Sequence, residues 1–192
     1  MSLLKVGLKS LKGDRLSLKL EQGLVQIYTG DGKGKTTASL GLALRAAGRN
    51  FRIYIGQFMK TSGFGEHKAL EKFSDQITVE QFGSGKYHTE GPPSEEDLKN
   101  AEEGLRKIRE AMLSKEYDIV IADEICVSQH FDLLSSKDII DLIDVKPKEI
   151  ELVLTGRNAS EELIERADLV TEMKEIKHPY QEGVEARKGI EM

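Results

Sequence analysis

Short apolar runs alternate along the chain with longer stretches in which apolar and polar residues mix. Six runs have the length and the Val, Ile and Leu content of strands, and they cover residues 24–28, 52–58, 77–82, 118–122, 150–154 and 169–173. Several of them are almost continuously apolar, as is typical of strands that helices cover on both faces. The alternation predicts an α/β fold with a mostly parallel sheet of about six strands.

The stretches between these runs carry apolar residues at helical spacing. The clearest helix covers about residues 94–114, and Ser94 and Asp97 at its start are spaced as in a capping box. Shorter helices are predicted over residues 36–47, 66–73, 137–143 and 161–166. Since neither a repeat nor a linker interrupts the pattern, one domain is expected over residues 23–192.

Composition narrows the function classes. The chain has 192 residues, a formal net charge of −5 and a single cysteine, Cys126, which allows no internal disulfide and no cysteine cluster for zinc. The longest apolar run, residues 119–122, is far shorter than the roughly 20 residues of a membrane helix. Lysines also interrupt the apolar positions near the N-terminus, so no secretory signal is expected. We therefore expect a cytoplasmic protein that does not contact membranes.

Residues 1–22 form a separate N-terminal arm in this interpretation. Residues 1–20 contain five Lys and Arg residues and one Asp, so this segment has a net charge of +4 in a protein that is acidic as a whole. A solvated terminal arm is favoured, because termini are poorly ordered unless other contacts hold them. An arm that covers a site is the alternative.

The strongest functional signal directly follows the first predicted strand. Strand, glycine-rich loop and apolar helix in this order place successive backbone amides and a helix N-terminus around a triphosphate. Lys35 is placed to reach between phosphates, and the Thr36 hydroxyl to ligate Mg²⁺. The usual pattern has glycine where Thr29 stands, and a glycine-rich surface turn is the alternative interpretation. The predicted ATP-binding residues of this glycine-rich loop (residues 30–37) are Gly30, Asp31, Gly32, Lys33, Gly34, Lys35, Thr36 and Thr37.

A second apolar strand delivers Asp123 and Glu124 at its carboxyl end, the edge at which open α/β sheets bind ligands. Carboxylate and hydroxyl oxygens suit a hard dication, so Thr36, Asp123 and Glu124 are the predicted Mg²⁺ ligands. Two predicted strands separate this strand from the loop strand along the chain, as in RecA-like proteins. The predicted fold class is a three-layer, RecA-like P-loop NTPase. Such elements bind a triphosphate whichever of its bonds reacts.

Further motifs resemble those of the ATP:corrinoid adenosyltransferases, a P-loop family that moves the 5′-deoxyadenosyl group of ATP onto the cobalt of a corrinoid. The resemblance spans about residues 23–192, and residues 29–37 match the family's loop, including its shifted first glycine. The other matching motifs are Gln57-Phe58-Met59-Lys60, Gly65-Glu66, Thr155-Gly156-Arg157, Lys177-His178-Pro179-Tyr180, Gly183, Ala186-Arg187 and Gly189-Ile190-Glu191.

The resemblance implies a cob(I)yrinic acid a,c-diamide or cob(I)alamin adenosyltransferase that acts in adenosylcobalamin biosynthesis or salvage. Cobalt(I) would attack the ribose 5′-carbon of MgATP and expel tripolyphosphate, with Lys33, Lys35 and Thr36 stabilising the leaving charge. Arg45 is expected near the adenosine. Two further ligand-binding candidates follow: Arg157, which ends a strand at the ligand edge, and His178. A homodimer and a flavoprotein reductase as electron donor are implied partners.

One segment departs from the family. Its Gly-Phe-Thr-Trp after the third strand is replaced by Gly85-Lys86-Tyr87-His88, and the chain has no tryptophan. Tyr87 is then the aromatic residue left to face the corrinoid. His88 is a candidate corrinoid contact or cobalt ligand, and a solvated loop histidine is the alternative.

Two other functions fit the loop. A RecA-like ATPase switch would use the basic arm on nucleic acid, but the net negative charge argues against that partner. A nucleoside kinase of the thymidine-kinase type would need zinc cysteines that a one-cysteine chain lacks. Cys126 is expected to be a small packed residue, and His67 and His130 are isolated, without metal-ligand spacing.

Overall fold

The computed structural model of the chain describes residues 20–85 and 92–191. Tyr87, His88 and most of the predicted N-terminal arm lie outside the described residues, so the roles expected for them stay predictions.

Six parallel strands form one sheet in the described part of the chain, in the order β3-β2-β4-β5-β1-β6. Their bounds differ from the predicted ones by one residue at most, which confirms the parallel α/β sheet. The strands are β1 (Val25–Thr29), β2 (Ile53–Phe58), β3 (Ile77–Phe82), β4 (Ile119–Asp123), β5 (Glu151–Thr155) and β6 (Leu169–Glu172).

The predicted helices are present, and the capping box is confirmed: Ser94 Oγ accepts a hydrogen bond from the Asp97 amide, and the Asp97 carboxylate accepts one from the Ser94 amide. Helix α4 was not predicted from the sequence. The helices are α1 (Lys35–Ala47), α2 (Gly65–Leu70), α3 (Glu95–Leu113), α4 (Ile125–His130), α5 (Ser136–Asp144) and α6 (Glu161–Arg166), with 3₁₀ turns at Glu71–Phe73 and Pro179–Glu182.

Helices cover both faces of the sheet. Helices α3, α4, α5 and α6 pack on one face, where Ile108, Ile125 and Leu163 join the buried core. On the other face Ala43 of α1 and Leu70 of α2 lie in a second apolar cluster. The arrangement is the expected three-layer fold. None of its helices, within the ranges described, combines the length and the apolar character needed to cross a membrane.

The strand order decides what meets at the carboxyl edge of the sheet. Strand β5 lies between β1, which leads into the glycine-rich loop, and β4, which ends at Asp123. Strand β2 pairs with β4 on its other side, with Gln57 opposite Asp123. The ends of four strands therefore converge around one carboxylate.

Candidate nucleotide and metal site

The glycine-rich loop leaves the carboxyl end of β1 and is fixed against the chain that follows β6. The Gly32 amide donates to the Met173 carbonyl at 2.6 Å, and the Met173 amide donates to the Thr29 carbonyl at 2.8 Å. Gly30 has φ +91°, and a Cβ atom there would lie 2.6 Å from the Met173 carbonyl oxygen. Glycine is required at this position because the obstacle is backbone, which cannot move aside.

Lys35 is buried within the loop. Its Nζ donates to the carbonyl oxygens of Gly30 at 2.6 Å and Gly32 at 2.9 Å. Burial lowers the pKa of Lys35, while the negative charge of Glu124 partly opposes that effect. The ammonium group thus lies inside the curve of the loop, where a bound triphosphate would meet it.

Asp123 is the centre of a buried network and is 1% exposed. Its Oδ1 accepts hydrogen bonds from Thr36 Oγ1 at 2.9 Å and from Thr155 Oγ1 at 2.7 Å. Its Oδ2 accepts from Lys60 Nζ at 2.8 Å and from Gln57 Nε2 at 3.2 Å. Four donors on one carboxylate fix its position. The structure therefore brings Thr36 and Asp123 together, as the sequence predicted.

Lys60 is a site residue whose role the sequence did not reveal. Met59, with φ 56°, turns the chain directly after β2, and Lys60 Nζ then donates to both Asp123 and Thr36 Oγ1, the latter at 3.2 Å. Burial works to lower the pKa of Lys60, but the charge of Asp123 and its hydrogen bond outweigh burial and raise that pKa. The motif at residues 57–60 drew attention to Lys60 in the sequence, but it did not predict that the lysine contacts Asp123 and Thr36.

His67 extends the network through hydrogen bonds that its spacing in the sequence did not indicate. The Gly63 amide donates to His67 Nδ1 at 3.2 Å, and His67 Nε2 lies 2.6 Å from Gln57 Oε1. Because Nδ1 accepts, the proton is on Nε2, which donates to Gln57. Gln57 is fully buried, and its amide nitrogen donates a hydrogen bond to Asp123. Gln57 therefore links His67 to Asp123.

Glu124 has the opposite environment from Asp123. Its backbone is left-handed, with φ 64°, and its amide donates to Thr155 Oγ1 at 2.9 Å. Its carboxylate accepts no hydrogen bond from any residue in the ranges 20–85 and 92–191. Burial, and then the neighbouring charge of Asp123, raise the pKa of Glu124. A partly buried carboxylate with free lone pairs suits a metal ion.

The oxygen atoms of Thr36, Asp123 and Glu124 fit Mg²⁺ in kind. The described residues contain no group of three or more His, Cys, Asp or Glu side chains that could hold a metal by themselves. Mg²⁺ in nucleotide sites needs no such cage, because one or two carboxylates share it with phosphates and water. One feature opposes metal binding: the Lys60 ammonium already lies on two of these oxygen donors.

The remaining predicted site residues lie at different distances from the glycine-rich loop. Arg157 follows β5 and is exposed, and its charge acts on both Lys35 and Glu124. Asp31 is exposed on the loop and acts on Lys35. Arg45 lies in the last turn of α1, about 15 Å along the helix axis from Lys35 at 1.5 Å per residue. The structure does not bring Arg45 to the loop, so its contact with adenosine stays a prediction.

The C-terminal segment reaches the loop. Lys33 Nζ donates to Glu191 Oε1 at 2.8 Å and to the Ile190 carbonyl at 3.1 Å. Arg187 also binds the Glu191 carboxylate, at 2.9 Å. His178 has a local role, because its Nδ1 accepts from the Tyr180 amide at 3.2 Å and caps a 3₁₀ turn.

Similar sequences agree on one family. Residues 21–192 match the model of the family described as ATP:corrinoid adenosyltransferase BtuR/CobO/CobP. A corrinoid adenosyltransferase from Sinorhizobium sp is 36% identical over 174 residues, which cover 89% of this chain and 81% of that protein. The corrinoid adenosyltransferase of Escherichia coli (strain K12) is 30% identical over 172 residues, or 89% of this chain and 86% of that one.

A solved structure has a similar fold. The KaiC-like protein PH0186 from Pyrococcus horikoshii OT3 superposes with a TM-score of 0.54 and 16% sequence identity, covering 80% of this chain and 74% of its own. At this identity the likeness shows the fold alone, and that fold is the RecA-like α/β arrangement expected from the sequence.

Proposed function

Because this chain belongs to the ATP:corrinoid adenosyltransferase family, we propose that it transfers the 5′-deoxyadenosyl group of MgATP to the reduced cobalt(I) of a corrinoid and releases tripolyphosphate. One observation supports this proposal above the others. Lys35 and Thr36 of the glycine-rich loop lie beside Asp123 and Glu124, so cationic and metal-binding groups converge where a triphosphate would lie.

The proposed step is a nucleophilic substitution at carbon. An electron pair of cobalt(I) forms the cobalt–carbon bond to C5′ and leaves cobalt formally as cobalt(III). The bond between C5′ and its oxygen breaks, and its electron pair goes to the triphosphate. No proton moves in this step, so the protein has to orient the nucleotide and stabilise the leaving charge.

The loop residues supply that stabilisation. Lys35, once it turns from the carbonyls of Gly30 and Gly32, would meet the phosphate oxygens, and the amides at the start of α1 would do the same. Charge-assisted hydrogen bonds to an anion are roughly twice as strong as neutral ones. Lys33 would join them after it leaves Glu191.

Thr36, Asp123 and Glu124 would hold the Mg²⁺ ion of the nucleotide. Bound there, the ion would neutralise part of the triphosphate charge as it leaves. The hydrogen bond from Thr36 to Asp123 already holds two of these groups together, while Glu124 offers a carboxylate without a competing donor among the residues described.

The hydrogen bonds of the site leave neither His67 nor Asp123 placed to act as a general base. His67 uses both ring nitrogens, on Gly63 and Gln57, and Asp123 accepts from four donors. Neither group has a free lone pair directed at a substrate proton.

ATP hydrolysis is a second candidate, and Glu124 is the observation that favours it. Its carboxylate has free lone pairs and a raised pKa, so it could polarise an attacking water at the terminal phosphate. The two functions differ in the bond that breaks and therefore in their products.

A single assay separates them. The protein is mixed with MgATP and chemically reduced cobalamin under anaerobic conditions. Light-sensitive adenosylcobalamin and tripolyphosphate, in equal amounts, are the expected products. Orthophosphate and ADP without adenosylcobalamin would overturn the proposal in favour of an ATPase. ADP and a phosphorylated nucleoside, when a nucleoside is added, would overturn it in favour of a kinase.

Partners and location follow from the same premise. The proposed reaction consumes cobalt(I), so a reductase, with a flavin as the chemically suited donor, would have to supply electrons. A homodimer and a cytoplasmic location complete the proposal. Size-exclusion chromatography with light scattering tests the dimer, which would elute at about twice 21.4 kDa.

A further inference from the structure

The Lys60 ammonium occupies the position at which a metal ion would bind. It lies 2.8 Å from Asp123 Oδ2 and 3.2 Å from Thr36 Oγ1, two of the three side chains proposed to ligate Mg²⁺. The pair is largely buried, with Lys60 19% and Asp123 1% exposed. A buried ion pair is held in place because separating it leaves an uncompensated charge.

A dication and this ammonium cannot share those oxygens. Mg²⁺ binds oxygen at 2.0–2.1 Å, so Lys60 in its present place would lie a few ångströms from the ion. Like charges at such a distance repel strongly in a partly buried site. Binding of the metal therefore requires Lys60 to leave Asp123, and the displaced ammonium needs another anion.

We propose that Lys60 is a further triphosphate-binding residue. It binds Asp123 and Thr36 until the nucleotide arrives and its metal ion binds those two side chains instead. This inference rests on the proposed function, since it requires a triphosphate in the glycine-rich loop. Lys60 Nζ already contacts Thr36, which lies in the first turn of α1. A rotation of the four-carbon side chain of Lys60 would therefore bring its ammonium to the phosphates.

Two carboxylates are the competing destinations for Lys60. Glu124 and Glu66 both lie close enough to influence its charge. Glu124 is itself proposed to bind the metal, which would leave Glu66 as the acceptor. If Lys60 moves to Glu66, the triphosphate gains nothing from it, and tripolyphosphate affinity then no longer depends on Lys60.

Lys60→Gln makes opposite predictions for the two ligands. Inorganic tripolyphosphate, titrated by calorimetry at an Mg²⁺ concentration that saturates the metal site of each protein, is expected to bind about tenfold or more weakly, because a charge-assisted hydrogen bond is lost. Mn²⁺ alone, followed by electron paramagnetic resonance, is expected to bind about tenfold more tightly, because Asp123 and Thr36 are freed from the ammonium. A general loss of structure would weaken both.

Two control variants make the result specific. Lys68→Gln removes an exposed charge from the neighbouring helix α2 and should change neither affinity. Lys60→Arg keeps the charge, so it should retain tripolyphosphate affinity within a few-fold and bind Mn²⁺ no more tightly than the wild type does. Unchanged tripolyphosphate affinity in Lys60→Gln would overturn the proposal, as would Mn²⁺ binding no tighter than in the wild type.

A second variant serves if Lys60→Gln does not fold. The double variant Lys60→Gln with Asp123→Asn removes the pair without leaving a buried charge, and its tripolyphosphate affinity is then compared with that of Asp123→Asn alone. Failure of the proposed function is distinguishable, because the wild type would then form no adenosylcobalamin. A wild type that forms it, with Lys60 variants unaffected, would refute only the inference about Lys60.

Discussion

Lys35 is held by two carbonyl oxygens of its own loop, at 2.6 and 2.9 Å, in an environment that lowers its pKa. Lys35→Ala removes the charge that would meet the leaving triphosphate but no volume from either apolar cluster. We expect adenosyl transfer to fall by a factor of about 100 or more. The free energy of unfolding should fall by about 1–3 kcal/mol, since the two loop carbonyls lose their hydrogen-bond donor. Initial rates of adenosylcobalamin formation and urea unfolding measure the two quantities.

Lys68→Ala is the matched control for Lys35→Ala, because Lys68 is exposed on α2 and has no described contact with the loop. It should keep the wild-type rate. A Lys35→Ala protein that turns over at nearly the wild-type rate would refute the assignment of this lysine to the triphosphate.

Cys126 is completely buried at the start of α4. Burial, and then the charge of Glu124, raise the pKa of its thiol to about 12. At pH 8 roughly one thiol in 10,000 would be the reactive thiolate, even before access is considered. We therefore expect Ellman's reagent to label the native protein at least about 100 times more slowly than protein unfolded in urea. The chain has one cysteine, so the signal is unambiguous; fast labelling of native protein would contradict the buried position.

The same pKa predicts how stability depends on pH. The folded protein keeps the Cys126 proton up to a pH of about 12, whereas the unfolded chain releases it near 9. The folded state therefore binds more protons in that interval, and this thiol makes the free energy of unfolding fall as the pH rises from about 9 towards 12. Below pH 9 the Cys126 thiol does not change the free energy of unfolding with pH. Urea unfolding of the wild type and of Cys126→Ala across this range isolates the contribution.

Residues of the site differ in how far their sequence reveals them. Lys35 and Thr36 could be predicted because a local pattern carries their chemistry, and Asp123 because an apolar strand ends there. Lys60 and His67 could not, since their contacts depend on β2 lying beside β4 with Gln57 opposite Asp123. The order of strands in a parallel sheet is a long-range property that no short motif contains.

At the scale of elements, the end of β5 is locked to the start of α4. Gly156 has φ +141°, and a Cβ atom there would lie 2.8 Å from the Val127 amide nitrogen and 2.9 Å from Cys126 Cβ. Gly156→Ala should therefore lower the free energy of unfolding by about 2 kcal/mol or more, through backbone strain and this close contact. Because the same turn leads from Thr155 to Arg157, we also expect weaker tripolyphosphate binding.

Gly41→Ala is the matched control for that change. Gly41 lies on the exposed side of α1, and a methyl group on it would meet no atom of the described residues within 4 Å, apart from the backbone of its own helix. Alanine is the better helix former, so this variant should gain about 0.5–1 kcal/mol. Urea or thermal unfolding of the two variants compares them, and equal effects of the same sign would refute the argument about Gly156.

The elements also show where patterning stops being informative. Apolar runs predicted each of the six described strands to within a residue. Strands β2, β4 and β5 are buried at every position, as expected of strands covered on both faces. Helix α4 was missed since it begins one residue after β4, and Glu124 makes the transition in a left-handed conformation that glutamate seldom adopts. A six-residue helix offers too few turns for a periodic pattern.

At the scale of the molecule, the C-terminal segment reaches back to the glycine-rich loop. Hydrogen bonds from Arg187 and then Lys33 lower the pKa of Glu191, so its carboxylate stays charged at neutral pH and binds Lys33. The motif around Gly189-Ile190-Glu191 predicted family membership, but 158 residues separate Lys33 from Glu191 and no local pattern could pair them.

Glu191→Gln tests whether this contact competes with the nucleotide. The change frees Lys33 and removes a negative charge beside the loop, so tripolyphosphate should bind about two- to fivefold more tightly, a factor typical of an exposed ion pair. The difference should shrink in high salt, because the charges are exposed. Glu182→Gln, which breaks the exposed pair with Lys177 elsewhere in the same segment, is the matched control and should have no effect. Weaker binding in Glu191→Gln would mean that the C-terminal carboxylate positions Lys33 for the triphosphate instead of competing with it.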